Sequence, residues 1–307
     1  LISVNTSGGI LKSIGALLTL VTLAVLPFST LSAQVPALEA LRASAAASSL
    51  YYSVPLPAAP ALYNAARTPE ATLTGEQLFD YLHEATAPAP RKSMIPSYGA
   101  SKAFMYSTAD NAGCNGRPGI MTAYSQLCIN GSSDNGNNYK EQSDENGDGV
   151  YGDFVNAEHV WPQSYFKSAL PMVADLHHLL PTLSTPNGRR ANLKFARVTK
   201  ATYSTSSGSK LGKEGFEPDN SVKGNVARAL FYFIVRYSDG NIRQGMDYNS
   251  FWTKNVPMLL EWNRQDPPDA NELRRNNLVE DFQGNRNPFI DNPALADRIG
   301  EMVFEAH

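Results

Sequence analysis

The stretch Asn156-Ala-Glu-His-Val-Trp-Pro-Gln-Ser164, followed by Asp175-Leu-His-His-Leu-Leu-Pro181 and Asn187-Gly-Arg-Arg190, decides how this chain is read. Three of the five histidines fall within it, with a carboxylate beside one of them and two adjacent arginines. His159 is the natural general base, because an unperturbed imidazole titrates near neutrality. Glu158 offers a hard anionic oxygen suited to Mg²⁺, and Asn187 can supply a neutral oxygen to the same ion. Magnesium keeps several waters and needs only one or two protein oxygens, so this short list suffices. The nearby carboxylates are Glu158, Asp153 and Asp175, too few for a two-metal centre. One ion is therefore expected, with Mn²⁺ or Ca²⁺ as possible substitutes. An activated water, a cation and basic groups are what phosphodiester hydrolysis requires.

The adjacency of Glu158 and His159 makes a structural demand. In a regular strand they would point to opposite faces, so the strand over 153–161 must end, bulge or bend there, as Pro162 just behind it allows. If 176–180 is helical, His177 and His178 diverge by roughly 100° and at most one faces the site. Each is equally well a hydrogen-bonded structural residue. Asp175 can orient an imidazole or cap a helix. Arg189, Arg190, Lys194, Arg197 and Lys200 form a local basic cluster, which is either a solvated face or a phosphate-attracting one.

The rest of the 307-residue chain sets bounds. Hydrophobic residues make up 42%, charged residues 18%, and the net charge is −3. This is a globular balance, in which any polyanion site must be a local patch. Lys12, the apolar run 14–28 and the small residues up to Ala33 describe a secretory signal peptide over 1–33, too short for a comfortable membrane span. Residues 34–73 are an Ala/Pro-rich leader, and 74–307 the folded domain. Export implies a secreted protein, with no membrane after signal cleavage, and favours a Cys114–Cys128 disulfide. Asp144, Asn146 and Asp148 alternate like the first half of a calcium loop with Gly149 in the sixth place, and so suggest a structural Ca²⁺. The twelfth position is Val155 rather than Glu, which excludes a full EF-hand; the alternative is a polar turn.

Thr74 and Gln77 read as a capping box opening a helix. Residues 104–106 and 120–124 read as strands. The best helix spans 221–237, with Val222, Val226, Leu230, Phe233 and Tyr237 on one face. Further helices are expected from Pro257, from Asp269 to a stop at Gly284, and from Asn292 to about Val303. Early strands, late helices and no Gly-rich phosphate loop predict an α+β fold.

Together, Glu158-His-Val-Trp-Pro-Gln-Ser164, Asp175-Leu-His-His-Leu-Leu-Pro181 and Asn187-Gly-Arg-Arg-Ala-Asn192 resemble the bacterial secreted endonuclease I and extracellular ribonuclease family. Phe216-Glu-Pro218, Lys223–Tyr232 and Gln283-Gly-Asn-Arg-Asn-Pro-Phe-Ile-Asp291 match its later segments in order. The resemblance implies a ββα-metal (His-Me finger) nuclease core embedded in a mostly helical domain. It implies a sequence-nonspecific endonuclease acting on DNA, RNA or both, with 5′-phosphate products and no stable protein partner. It also implies that His159 activates water, that Glu158 and Asn187 hold Mg²⁺, and that Arg228 contacts the cleaved phosphate. Asp175, His177, His178, Arg190 and Asn192 become supporting residues, and Asn285, Arg286 and Asn287 mainly structural ones.

Two other readings are kept. The three histidines suggest a zinc hydrolase, although the His-Glu-x-x-His order is absent. The calcium-like loop and basic cluster suggest a non-catalytic calcium- and polyanion-binding module.

Overall fold

Helix α1 (Gly75–Thr86) opens the ordered chain and buries Leu78, Phe79 and Leu82 at helical spacing. Thr74 occupies the N-cap in an extended conformation, but its side chain makes no capping bond, so the expected capping box does not form. These observations come from a computed structural model, which describes residues 71–87, 97–114, 116–129 and 155–307. The signal-like segment, nearly all of the leader, and the Asp144, Asn146 and Asp148 loop lie outside the described residues.

Residues 104–106 are not a strand. Helix α2 (Tyr98–Phe104) continues into a π-helical turn, Met105–Ala109. A three-residue apolar run cannot distinguish strand from helix by itself. Here Met105, Tyr106 and Ala109 are buried together in one core cluster, a spacing that a helical turn satisfies. Only Ile120–Met121 (β1) of the second expected strand is extended. It pairs antiparallel with Cys128–Ile129 (β2), and a Cys114–Cys128 disulfide with Cα atoms 5.8 Å apart ties this hairpin to the preceding loop.

The strand pair β3 (Val155–His159) and β4 (Leu179–Leu183) is antiparallel, with Glu158 opposite Leu180 and His159 opposite Leu179. Alternation gives it two faces. Val155, Ala157, Leu179 and Leu183 join Met105, Ile120 and Val279 in the smaller core cluster. Asn156 and Glu158 therefore share the opposite face. Helix α3 (Ser184–Arg190) follows β4 directly. A small sheet, β5 (Tyr203–Ser204), β6 (Lys210–Gly212) and β7 (Gly215–Glu217), comes next.

Helix α4 (Lys223–Tyr237) is the centre of the larger core. Its expected apolar face is real, but the remaining faces are covered too, and only Asn225 and Arg236 are not buried. A helix buried all round belongs to the middle of a domain rather than its surface. Trp161, Trp252, Trp262, Phe289 and Phe304 pack in the same cluster. Gly224 is required at its first turn: a Cβ there would lie 1.8 Å from the Asp266 carbonyl oxygen. The later helices are α5 (Tyr248–Phe251), α6 (Val256–Gln265), α7 (Ala270–Gln283), α8 (Pro288–Asp291), α9 (Ala294–Ile299) and α10 (Glu301–Ala306). Asp269 caps α7 and Gly284 stops it at φ 86°, as expected. The single last helix expected from Asn292 is two, because Gly300 at φ 86° interrupts it. The architecture is a mixed α and β domain, with small antiparallel sheets embedded in a mostly helical structure. Among the described residues no helix is long and apolar enough to cross a membrane.

Candidate metal and hydrolytic site

Strand β3 ends at His159, and the chain bends at Val160 and Trp161. Helix α3 then presents two residues three positions apart to the polar face of β3. Asn187 Nδ2 donates to Asn156 Oδ1 at 2.5 Å. Arg190 Nη1 donates to Glu158 Oε1 at 2.8 Å. Because Asn156 and Glu158 are two apart on one strand face, these contacts bring Asn187 alongside Glu158.

Glu158 is 2% exposed, and its Oε1 also accepts the Tyr124 hydroxyl at 2.8 Å. Both donors use the same oxygen, and among the described residues Oε2 accepts no hydrogen bond. Burial pushes the Glu158 carboxyl above the usual carboxylate range, with Arg190 and Tyr124 pulling the other way. One guanidinium shared through one oxygen thus under-compensates this buried anion, so additional positive charge at Oε2 would be favourable. Arg190 also donates to the carbonyls of His159 (2.9 Å) and Val160 (2.7 Å) and lies over the Phe195 ring. It thereby holds the strand end as well as the carboxylate.

His159 Nε2 lies 3.0 Å from the Val173 carbonyl oxygen. A carbonyl can only accept, so Nε2 carries the proton and Nδ1 the lone pair. His177 and His178 use the same device: their Nε2 atoms donate to Asn285 O (3.0 Å) and Met172 O (2.6 Å). The three differ at the other nitrogen. Nδ1 of His177 and of His178 is buried without a partner, whereas Nδ1 of His159 is not among the buried unpartnered atoms. Burial, followed by the nearby His178, lowers the His159 pKa to about 3, so its imidazole is neutral around pH 7.

Asp175 caps the 3-10 turn Leu176–His178 through the His177 backbone N–H. Its carboxylate also accepts Gln283 Nε2, Tyr232 OH and Tyr237 OH at 2.7–2.8 Å. The capping role is present; its side chain orients no imidazole. His178 stands 5.5 Å from His159 between ring centroids, while His177 turns toward Tyr232 and Asn285.

Arg228 is not brought to this site. It is fully buried, and its guanidinium is bidentate to Glu272 (2.8 and 2.5 Å) with a further bond to Asp266 O. The expected phosphate contact is corrected accordingly, because these partners occupy the fork. The basic cluster also divides. Arg190 is internal, Arg197 pairs with Glu261 and Lys194 reaches Ser250, while Arg189 and Lys200 remain exposed. Asn192 is exposed and accepts Tyr165 OH through its backbone oxygen. Asn285, Arg286 and Asn287 bond internally, Arg286 to Asp291 and Glu280. Among the described residues no three His, Cys, Asp or Glu side chains come together as a metal cluster. Sequence reasoning missed Tyr124 and the Val173 carbonyl, which act across the fold and leave no local pattern. Asn156 was detectable, since it lies two residues before Glu158 and so on the same face.

A strand pair running straight into a helix, with Glu158 and His159 at the end of one strand and Asn187 on the helix, is the arrangement the structure gives these residues. The chain belongs to the Endonuclease I family, whose sequence profile matches residues 91–294. It is 40% identical over 161 residues to a protein named extracellular ribonuclease from Bacillus amyloliquefaciens, covering 49% of this chain and 55% of that one. The extracellular ribonuclease of Bacillus subtilis (strain 168) gives 40% over 162 residues, with the same shares. An extracellular deoxyribonuclease of Aeromonas hydrophila is 29% identical over 124 residues, 39% of this chain and 50% of that one. The chain thus spans about half the length of the curated relatives it matches.

Proposed function

We propose that this protein is an exported, metal-dependent, sequence-nonspecific endonuclease that hydrolyses phosphodiester bonds of DNA, RNA or both. One observation carries the reading: at consecutive positions of one strand end, His159 keeps an Nδ1 lone pair that no described residue occupies, and Glu158 an Oε2 that accepts no hydrogen bond among the described residues. β3, β4 and α3 would serve as the ββα-metal core. Export is supported by the signal-like N-terminus and by the disulfide.

The residues present suit a single hard cation. Glu158 Oε2 and the Asn187 side-chain oxygen would hold it, and it would supply charge against the phosphoryl and leaving oxygens. His159, fixed by Val173, takes the proton of the attacking water at Nδ1 as the oxygen–phosphorus bond forms, while the bond from phosphorus to the 3′-oxygen breaks and that oxygen leaves as a hydroxyl with a proton from solvent. Arg190 and Tyr124 hold Glu158 so that Oε2 stays directed away from its protein donors. Exposed Arg189 and Lys200 would attract the polyanion.

The test is digestion of matched DNA and RNA by the mature protein with Mg²⁺, Mn²⁺, Ca²⁺ or EDTA. Cleavage that EDTA stops and that His159→Ala loses is the expected result. Activity surviving His159→Ala would overturn the base assignment, and activity surviving EDTA the metal assignment.

A further inference from the structure

Helix α2 takes no part in the steps given above, yet it is fastened to the same turn as His159. Ser101 is fully buried, and its Oγ donates to Ala174 O at 2.7 Å. Ala174 ends the 3-10 turn Met172–Ala174, whose Val173 carbonyl lies 3.0 Å from His159 Nε2. Helix and imidazole therefore share one three-residue anchor. Tyr98 and Lys102, four residues apart, are neighbours on one face of α2. The Tyr98 ring stands 5.4 Å from the His159 ring between centroids. Lys102 Nζ lies 4.8 Å from the centre of that same tyrosine ring. The ammonium is thus no more than about 10 Å from the imidazole, about one Debye length at roughly 0.1 M salt.

Lys102 also differs from its basic neighbours in having no anion. Arg190 is bound to Glu158, Arg197 to Glu261 and Arg228 to Glu272, and Lys194 reaches Ser250. Among the described residues Lys102 has no ion pair and no hydrogen bond, only the face of the Tyr98 ring. The side chain is half-buried, but Nζ is not among the buried unpartnered atoms, so it stays open to solvent. A lysine over a tyrosine is by itself a weak surface contact. Here the tyrosine is also the neighbour of the imidazole, so an uncommitted charge is held beside the reacting centre. A nucleic-acid strand carries one negative charge per roughly 3.4 Å of axis. When one phosphodiester lies at His159, the next along the strand falls within the same radius as Lys102.

We propose that Lys102 is a phosphate-binding residue, which takes a backbone phosphate adjoining the one being hydrolysed and so positions the strand. Such a contact reads charge rather than a base edge, and is indifferent to sequence and to the 2′-hydroxyl. That the anion is a polynucleotide rests on the nuclease reading above.

The experiment measures binding and cleavage separately. A labelled single-stranded phosphorothioate oligonucleotide, which keeps the backbone charge and resists cutting, is titrated by fluorescence anisotropy over a range of salt. Wild type is compared with Lys102→Met, Lys102→Arg and Lys254→Met. Met and Lys have similar helix propensity, and the Ser101 anchor is untouched, so the thermal midpoint of Lys102→Met should match wild type. Lys102→Met should raise Kd roughly fivefold and shrink the slope of log Kd against log salt by about 0.7, the loss of one single-strand phosphate contact. Lys102→Arg should restore both. Lys254→Met, which removes an exposed charge from the Thr253–Asn255 turn, should change neither. On unmodified DNA and RNA, Lys102→Met should raise KM by a similar factor and leave kcat within about twofold, as removal of uniform binding requires. Unchanged Kd and slope in Lys102→Met, an equal loss in Lys254→Met, or a loss confined to kcat overturns the proposal. Cleavage by wild type and Lys102→Met with equal KM would overturn the contact and keep the nuclease reading. Weakened binding by Lys102→Met, from a wild type that cuts neither DNA nor RNA, would keep the contact and overturn the nuclease reading.

Discussion

Two buried places among the described residues set a carboxylate close to an imidazole in sequence, and they end in opposite chemical states. At the 3-10 turn, Asp175 accepts four hydrogen bonds, and both nearby imidazoles bury an unpartnered Nδ1. At the strand end, Glu158 commits one oxygen and leaves the other unshared, and the Nδ1 of His159 stays open. Residue type is nearly the same in the two places; what differs is whether the carboxylate keeps an uncommitted oxygen and whether the imidazole Nδ1 is sealed from solvent. A saturated buried carboxylate holds a fold together, whereas one with an uncommitted oxygen can take part in chemistry.

The sharpest way to break the contrast is to remove each imidazole. His159→Ala should lower the cleavage rate by roughly 10²–10⁴, the usual contribution of a general base. Glu158→Gln should fall as far, with EDTA causing no further loss. His177→Gln should instead reduce stability and leave the rate per folded molecule within a fewfold of wild type. If His177→Gln lost activity as deeply as His159→Ala while remaining folded, the contrast would be wrong.

A second contrast lies between two buried arginine–glutamate pairs. Arg190 meets Glu158 through one oxygen, while Arg228 closes bidentate on Glu272. Arg228→Met strands a buried carboxylate and should cost about 3–5 kcal/mol in denaturant unfolding. The kcat of the folded fraction should survive. A loss of kcat without a loss of stability would restore Arg228 to the phosphate.

These contrasts also mark what could be read before the fold was known. Glu158, His159 and Asn187 could be named as candidates because their chemistry lies in residue type and in short spacing. The end of β3 at His159 was legible because Glu-His adjacency and Pro162 leave little choice. Arg228 misled because an arginine in a recognisable segment looks the same whether its partner is a substrate or Glu272, 44 residues away. Residues 104–106 misled because three apolar residues fit either period. Tyr124 reaches Glu158 from 34 residues away, and no local pattern encodes such a contact.

The Asp175 hub should also show in acid. Burial alone would raise the Asp175 pKa, but its imidazole neighbours and the hydrogen bonds from Gln283 and Tyr237 lower it below the usual range. Because His177 is neutral above about pH 4, the hydrogen bonds carry that effect near neutrality. A carboxylate with a lowered folded pKa contributes stability that is present above its unfolded value and lost as pH falls through the folded one. His177 adds an earlier loss: its pKa falls from 6.5 to about 4 on burial, so stability should decline as pH drops through that window. Asp175→Asn should cost about 2–3 kcal/mol near neutrality, and its unfolding free energy should flatten below pH 4 where that of wild type still falls. An unchanged slope there would remove Asp175 as the source.

The smallest effect tests the open end of the contrast most finely. Tyr124 and Arg190 share Glu158 Oε1, and the proposal gives them one task, to keep Oε2 available. Removing only the hydroxyl, in Tyr124→Phe, leaves the ring packed against Phe216 and Arg190 in place. The carboxylate then loses one of two anchors, worth about 1 kcal/mol, and can rotate. The expected outcome is roughly a fivefold rise in the Mg²⁺ concentration needed for half-maximal cleavage, with kcat at saturating Mg²⁺ nearly unchanged. A purely structural tyrosine would lower thermal stability without moving that midpoint. A shifted midpoint with unchanged saturated kcat is the signature of a residue that positions a ligand without touching the reacting atoms.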